Sequence, residues 1–220
     1  MKIDLRNVYT QWVNLDEKTD NAQYMQGIFD KYGFENTHRF SAVRKNATHE
    51  NVRPGEEHYP GIAESQVACM KNILDRGEPG LILEDDIGIS DHFNPVIEIP
   101  DDADAFYLGT SHGDNNYHAV DLGQGNGICK ISRMLSAHAI LHISDRWLQR
   151  IQDETLNWMY STNRPFDVHL YSIQAEYNVY AFHNPYFYQA DERNNANKWE
   201  QLTRTPLKVQ KKFSTRTIVL

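Results

Sequence analysis

The chain has 220 residues and a formal net charge of −8, with 40% apolar and 24% charged residues and 12 Tyr, 9 Phe and 4 Trp; this suits one ordered domain with a sizeable core and excludes a disordered chain, which lacks the apolar area to offset ordering entropy. No apolar run approaches the roughly 20 residues of a membrane span. The first twenty residues lack the apolar stretch of a secretory leader, and two cysteines, Cys69 and Cys129, cannot form a disulfide framework or a zinc site, so a reducing, cytoplasmic setting is expected.

Val8–Leu15 is rich in β-formers and reads as the first strand, followed by a polar turn and by Asp20 as a helix N-cap. Tyr24, Met25, Ile28, Phe29 and Tyr32 then recur at helical spacing until Gly33 stops the run. Phe40–Val43 is a short second strand, and the polar Asn46–Pro60 is a loop. Ile62, Gln66, Cys69, Met70, Ile73 and Leu74 trace a second helical face, closed by Gly77 and Pro79. Leu81-Ile82-Leu83 is a buried strand running straight into Glu84-Asp85-Asp86, and Phe106-Tyr107-Leu108-Gly109 repeats the pattern of a strand that ends in a loop. The polar stretch from Ser111 to Gly127 reads as a mobile loop, and Cys129–Ile131 and Ala137–Ile143 as strands. Ser144 caps a helix with Trp147, Leu148, Ile151, Leu156 and Met159 on its apolar side, a further helix covers Asp167–Tyr177, and Val179–Phe182 is a late strand. Strands alternating with helices predict an α/β fold with a mostly parallel central sheet flanked by helices.

Charge is uneven along this chain. From Arg193 to Leu220 there are seven basic residues and one acidic one, Glu200, so a +6 segment follows a body of −14. Such a segment is a solvated end, an interdomain clamp, or a contact for phosphate or nucleic acid. The carboxylates Glu84-Asp85-Asp86 are the most informative group. In an extended chain Glu84 and Asp86 project to one face, where they repel unless a positive charge lies between them. Hard oxygen ligands suit Mg²⁺ or Mn²⁺, and ligands of open α/β sheets gather at the carboxyl ends of strands. A divalent ion bridging this cluster to a diphosphate is one reading; a solvated acidic turn is the other.

Several ordered motifs between Val8 and Gln189 then resemble glycosyltransferase family 25, the lipopolysaccharide-type and collagen-type galactosyl- and glucosyltransferases. They are Val13-Asn14-Leu15-Asp16, Arg39-Phe40-Ser41-Ala42-Val43, Gly61-Ile62-Ala63-Glu64-Ser65-Gln66, Leu81–Asp86, Tyr107-Leu108-Gly109, Ala137-His138-Ala139-Ile140, Pro165-Phe166-Asp167 and Pro185-Tyr186-Phe187-Tyr188-Gln189. Leu81–Asp86 resembles the family's version of the metal-binding DXD motif; where the family has histidine after the serine, this chain has Gln66. The resemblance implies a GT-A-type nucleotide-sugar-binding fold over residues 1–192, a nucleotide-sugar donor (first a UDP-sugar), a divalent metal (Mn²⁺ or Mg²⁺), and transfer of a hexose to an acceptor hydroxyl with inversion.

On that resemblance Asn14, Leu15 and Asp16 match the strand end near the donor's base. Ser65, read as lying at a helix start, is a candidate for the donor's phosphate or sugar, and Asp85 for its ribose or sugar. Asp86 is the first metal ligand, with Glu84 direct or through water and His169 or His183 as a late ligand. Asp167 is the catalytic base, with an N-cap as its rival role. His138 reads as a hydrogen-bonded structural or acceptor-side residue. Residues 193–220 form a basic C-terminal tail that, with Trp199, is a candidate to pack over the donor site. The acceptor is a saccharide, a protein or a modified base in DNA; a relative that kept the fold and lost catalysis is the remaining alternative.

Overall fold

The computed structural model describes residues 1–46, 56–112, 116–194 and 199–210, so parts of the expected loops Asn46–Pro60 and Ser111–Gly127, and the basic end beyond Gln210, lie outside the described residues. The first half alternates strands and helices: β1 (Lys2–Asp4), β2 (Tyr9–Asn14), α1 (Thr19–Tyr32), β3 (Thr37–Ser41), α2 (Tyr59–Arg76) and β4 (Gly80–Glu84). Helix α1 starts before Asp20. Lys18 holds the N-cap position, because Asn14 Nδ2 donates to the Lys18 carbonyl at 3.1 Å and Lys18 N donates to Leu15 O at 2.9 Å. Asp20 falls in the first turn, where a carboxylate complements the positive end of the helix. Strand β3 starts three residues and ends two residues earlier than expected because β2 sets its register, from Thr10 opposite Thr37 to Asn14 opposite Ser41. Pro60, expected in the loop, belongs to the first turn of α2, where its missing N–H breaks no helical bond.

The second half contains β5 (Ile87–Ile89), β6 (Val96–Glu98), β7 (Ala105–Tyr107), β8 (His118–Asp121), β9 (Ile128–Ser132), β10 (Ala139–His142), α3 (Asp145–Thr162), α4 (Phe166–Ile173), β11 (Val179–Phe182), β12 (Phe187–Gln189), α5 (Asp191–Asn194) and α6 (Trp199–Arg204). Ser144 caps α3 as expected, its Oγ accepting from Trp147 N at 3.3 Å. The helix expected over Asp167–Tyr177 is α4 followed by a 3₁₀ turn at Gln174–Glu176.

The central sheet has the order β3-β2-β4-β10-β7-β11-β9-β8, and the pairs β1–β6 and β5–β12 stand outside it. The fold is α/β, with the sheet flanked by helices. Pairing is parallel at β3–β2, β2–β4 and β7–β11 and antiparallel at the other four junctions. The sheet is therefore mixed, with its uninterrupted parallel part made by the first strand–helix units.

Both faces of this sheet are covered, which is why β4 is a continuous apolar run. Ile82 enters the core cluster with Met70, Ile73, Tyr107, Trp147 and Phe166. Leu81 and Leu83, one residue to either side, enter the opposite cluster with Trp12, Met25, Phe29 and Phe187. The basic segment joins the body as far as Gln210. Thr203 and Leu207 are buried, Leu207 N donates to His183 O at 2.9 Å, and Gln210 N donates to Ala119 O at 2.8 Å.

Candidate active site

Strand β4 lies between β2 and β10 and is buried from Gly80 to Leu83, so Glu84 is its first side chain to reach an open space. Asp85 and Asp86 form the turn into β5, which pairs with β12 so that Ile87 faces Gln189. Ala190 N donates to the Asp86 carbonyl at 2.8 Å and fastens the turn. The Gln189 amide nitrogen therefore reaches both Glu84 Oε2, at 3.1 Å, and Asp86 Oδ2, at 3.3 Å. Glu84 and Asp86 do converge on one side, where both meet Gln189, although Asp85 and Asp86 are in the turn and not in the extended strand. Asp85 points away from them and accepts from Asn14 Nδ2 at 2.5 Å; Asn14 Oδ1 accepts in turn from Arg39 Nε at 2.8 Å. Burial, then the charges of Asp86, Asp167 and Asp85, lift the Glu84 carboxyl well above the ordinary carboxylate range.

Two adjoining cavities meet at this turn. The first, of about 400 Å³, has Glu84, Asp85, Asp86, Asn14 and Leu15 in its lining together with four cationic side chains, Lys18, Arg44, Lys45 and Arg193. The second, of about 380 Å³, is lined by Asp167, Ser136, Gln189, Tyr59 and Trp199 among others, and Glu84, His58 and Ile62 border both. Asp167 stands in the first turn of α4, whose N-cap position is Pro165. Burial pushes its carboxyl up to about 6, against backbone N–H groups that favour the charged form. A carboxyl with that value is a usable base near neutral pH.

Other expected site residues are placed differently. Asp16 is absent from the lining of either cavity. It is exposed, and its oxygens accept from Ser41 Oγ and from Arg39, both at 2.8 Å, which lowers its pKa. Ser65 lines the first cavity but lies in the second turn of α2 rather than at its start. Its hydroxyl donates to Gly61 O at 2.7 Å and accepts from Val43 N at 2.8 Å, so it fastens α2 to the segment after β3. Gly61 is required at that crossing, because a Cβ there would lie 2.3 Å from Val43 O.

The expected late metal ligand, His169, is not brought to the carboxylates. It is buried between α3 and α4, where Nδ1 meets Thr155 Oγ1 at 2.7 Å and the ring lies 5.1 Å from that of Trp158. His183 is exposed and lines neither cavity. His138 is a structural residue. It is buried and hydrogen-bonded to Ser136 Oγ at 2.7 Å, desolvation holds its pKa down to about 4, and its carbonyl accepts from Glu84 N at 3.0 Å.

Sequence reasoning missed Gln189 and Arg193 as individual site residues. Gln189 was visible only as part of a motif, because its approach to the carboxylates depends on the β5–β12 pairing. The carboxylate pair fits a hard divalent cation: two oxygens converge on a single donor, and the neighbouring carboxylates that raise Glu84 favour positive charge beside it. Among the described residues no group of three or more His, Cys, Asp or Glu side chains forms a ready metal cage, so an ion here would take Glu84 and Asp86 from the protein and complete its shell from water and phosphate. No described helix is long and apolar enough to cross a membrane.

No protein-family model and no curated protein matches the chain. Among solved structures it is similar to a nucleoside-diphosphate-sugar pyrophosphorylase from Vibrio cholerae RC9, at 11% identity over 84% of this chain and 78% of that one, with a TM-score of 0.43. It is also similar to a glycosyltransferase involved in the glycosylation of the major capsid of PBCV-1, at 8% identity over 80% of this chain and 93% of that one, with a TM-score of 0.39.

Proposed function

We propose that the chain is a metal-dependent, inverting glycosyltransferase of GT-A type, akin to family 25, that moves a hexose from a nucleotide sugar, first a UDP-sugar, to an acceptor hydroxyl. The observation that carries this reading is the carboxylate turn at the end of β4, bordered by two cavities of unlike chemistry. The first combines carboxylates with a group of cations, which suits a metal-bound diphosphate. The second contains Asp167, a carboxyl poised near 6. Glu84 and Asp86 would hold a Mg²⁺ or Mn²⁺ ion, which when bound would supply Lewis-acid stabilisation of the leaving diphosphate.

The chain's own residues do the rest. Asp167 takes the proton of the acceptor hydroxyl as its oxygen bonds to the anomeric carbon, and the bond from that carbon to the diphosphate breaks with its electron pair. One displacement inverts the configuration. Asn14, Leu15 and Asp85 fit the nucleoside side of the donor, and Gln189 holds Glu84 and Asp86 in register.

The test is a thermal-shift panel of UDP-, GDP-, CMP- and TDP-sugars with and without Mn²⁺, since a ligand of the folded state raises stability by linkage. Donor turnover by wild type and by Asp86→Ala follows. A selective, Mn²⁺-dependent shift and loss of turnover in the variant are expected. Full metal-dependent turnover by Asp86→Ala removes the ligand assignment, and no shift with any sugar nucleotide removes the function.

A further inference from the structure

We infer that Arg193, stacked on Tyr24, is the residue of this chain that grips the donor's diphosphate; the inference rests on the nucleotide-sugar reading above. Four cationic side chains line the cavity of the carboxylate turn, and three are otherwise occupied or unsupported. Arg44 is ion-paired with Glu17. Lys45 Nζ lies 2.5 Å from Glu64 Oε1 and also bonds the Tyr160 hydroxyl. Lys18 is exposed.

Arg193 differs from all three. Its guanidinium lies 4.5 Å from the centre of the Tyr24 ring; its Nε forms an ion pair with the exposed Glu192 carboxylate at 3.7 Å, too long for a hydrogen bond, and is buried with no hydrogen-bond partner among the described residues. A buried donor without an acceptor is costly in a folded protein and calls for a reason. An anionic ligand in the adjoining cavity supplies one.

The backbone explains how Arg193 arrives there. Ala190 N donates to Asp86 O at 2.8 Å, and Arg193 N donates to Ala190 O at 3.0 Å. The same stretch that lays Gln189 across Glu84 and Asp86 thus delivers Arg193 one turn later. Tyr24, on α1, supports the cation without cancelling it. Burial, followed by Tyr188 and Glu192, lifts its hydroxyl to about 12, so the ring is a neutral phenol at working pH. Stacking occupies the face of the guanidinium and leaves its edge N–H groups for bidentate contact with phosphate oxygens, a geometry that a lysine does not reproduce.

The experiment is calorimetric titration of the full chain with UDP, GDP, CDP and TDP and with each matching nucleoside, in Mn²⁺ buffer and in EDTA. Arg193→Ala is expected to weaken the preferred nucleoside diphosphate by about tenfold or more, the scale of a hydrogen bond to a charged group, and to leave the nucleoside unchanged. Arg193→Lys recovers part of the loss. Tyr24→Leu shifts diphosphate affinity in the same direction, whereas Tyr24→Phe, which keeps the ring, binds like wild type. Wild-type diphosphate affinity in Arg193→Ala, or an equal loss for nucleoside and diphosphate, overturns the inference and leaves the donor reading standing. Absence of binding of any nucleoside diphosphate to the wild type overturns both.

Discussion

Replacing Asp167 by Asn removes a charge while nearly preserving shape, and it is expected to make the protein more stable and almost inactive. The Asp167 carboxyl is pushed from its ordinary 3.8 up to about 6 by burial. Two units correspond to ~3 kcal/mol between the protonation states, and partial solvent access reduces the usable part to about 2 kcal/mol. The folded state binds this proton more tightly than the unfolded state, so wild-type stability falls as pH rises from about 4 to about 6 and the full penalty applies above that window. Asn carries no such penalty. Relative to wild type, the variant gains little at pH 4 and about 2 kcal/mol at pH 7.5, or roughly 4–8 °C in Tm for a chain of this size. Its transfer rate falls by about 10²–10⁴, the usual contribution of a general base. Urea unfolding in EDTA from pH 4 to 8, with initial rates measured on the same preparations, reads both quantities. A stability difference that does not change with pH, or a variant less stable than wild type at pH 7.5, refutes the electrostatic reasoning; retained turnover refutes the role as base.

The wild-type kcat/KM is expected to rise with pH and level off above an apparent pKa near 6, because only the ionised Asp167 accepts a proton; a pH–rate profile checks this. Gln189→Met keeps the volume but removes the amide that donates to Glu84 and Asp86, so it should cost about 2–4 kcal/mol at pH 8 in EDTA. The cost shrinks as pH falls, because the raised Glu84 carboxyl takes up a proton more readily than an ordinary one, and paired urea titrations at pH 8 and pH 5 measure the difference. Gly109→Ala would place a Cβ 2.0 Å from the buried His138 Nε2 and is expected to destabilise by about 1–3 kcal/mol or more. Gly27→Ala, in the middle of α1 with nothing within 4 Å of the new methyl, should stabilise by up to about 1 kcal/mol; thermal melts of the two variants move in opposite directions.

Elements long enough to show a period were legible in the sequence. The apolar faces of α1, α2 and α3, the Gly33 and Gly77 stops, the Ser144 cap and the buried strand before Glu84 all follow from local side-chain chemistry and are present, except that Ile62 of the α2 face is exposed. Strands β1, β5, β6, β8 and β12 have three or four residues each. Strands β7, β10 and β11 are as short but stand in apolar runs that the sequence shows; the first five lack such a run and exist because another strand offers unpaired backbone groups. The start of α1 and the bounds of β3 were also misjudged, since Asn14 and the register with β2 decide them from outside the local segment.

The same division runs through the site. By itself the sequence determined that carboxylates stand at the end of a buried strand, because an apolar run leads straight into them; that Glu84 and Asp86 meet on one side was expected from an extended chain but is set by the turn into β5. Only the tertiary structure decided what faces them. Antiparallel pairing of β12 with β5 carries Gln189 onto the two carboxylates and Arg193 into the neighbouring cavity. Packing of α4 against α3 turns His169 inward to Thr155 while Asp167 lines the second cavity. The opening charge of −8 conceals this arrangement, because net charge sums over residues and a site depends on which of them the fold brings within a few ångströms.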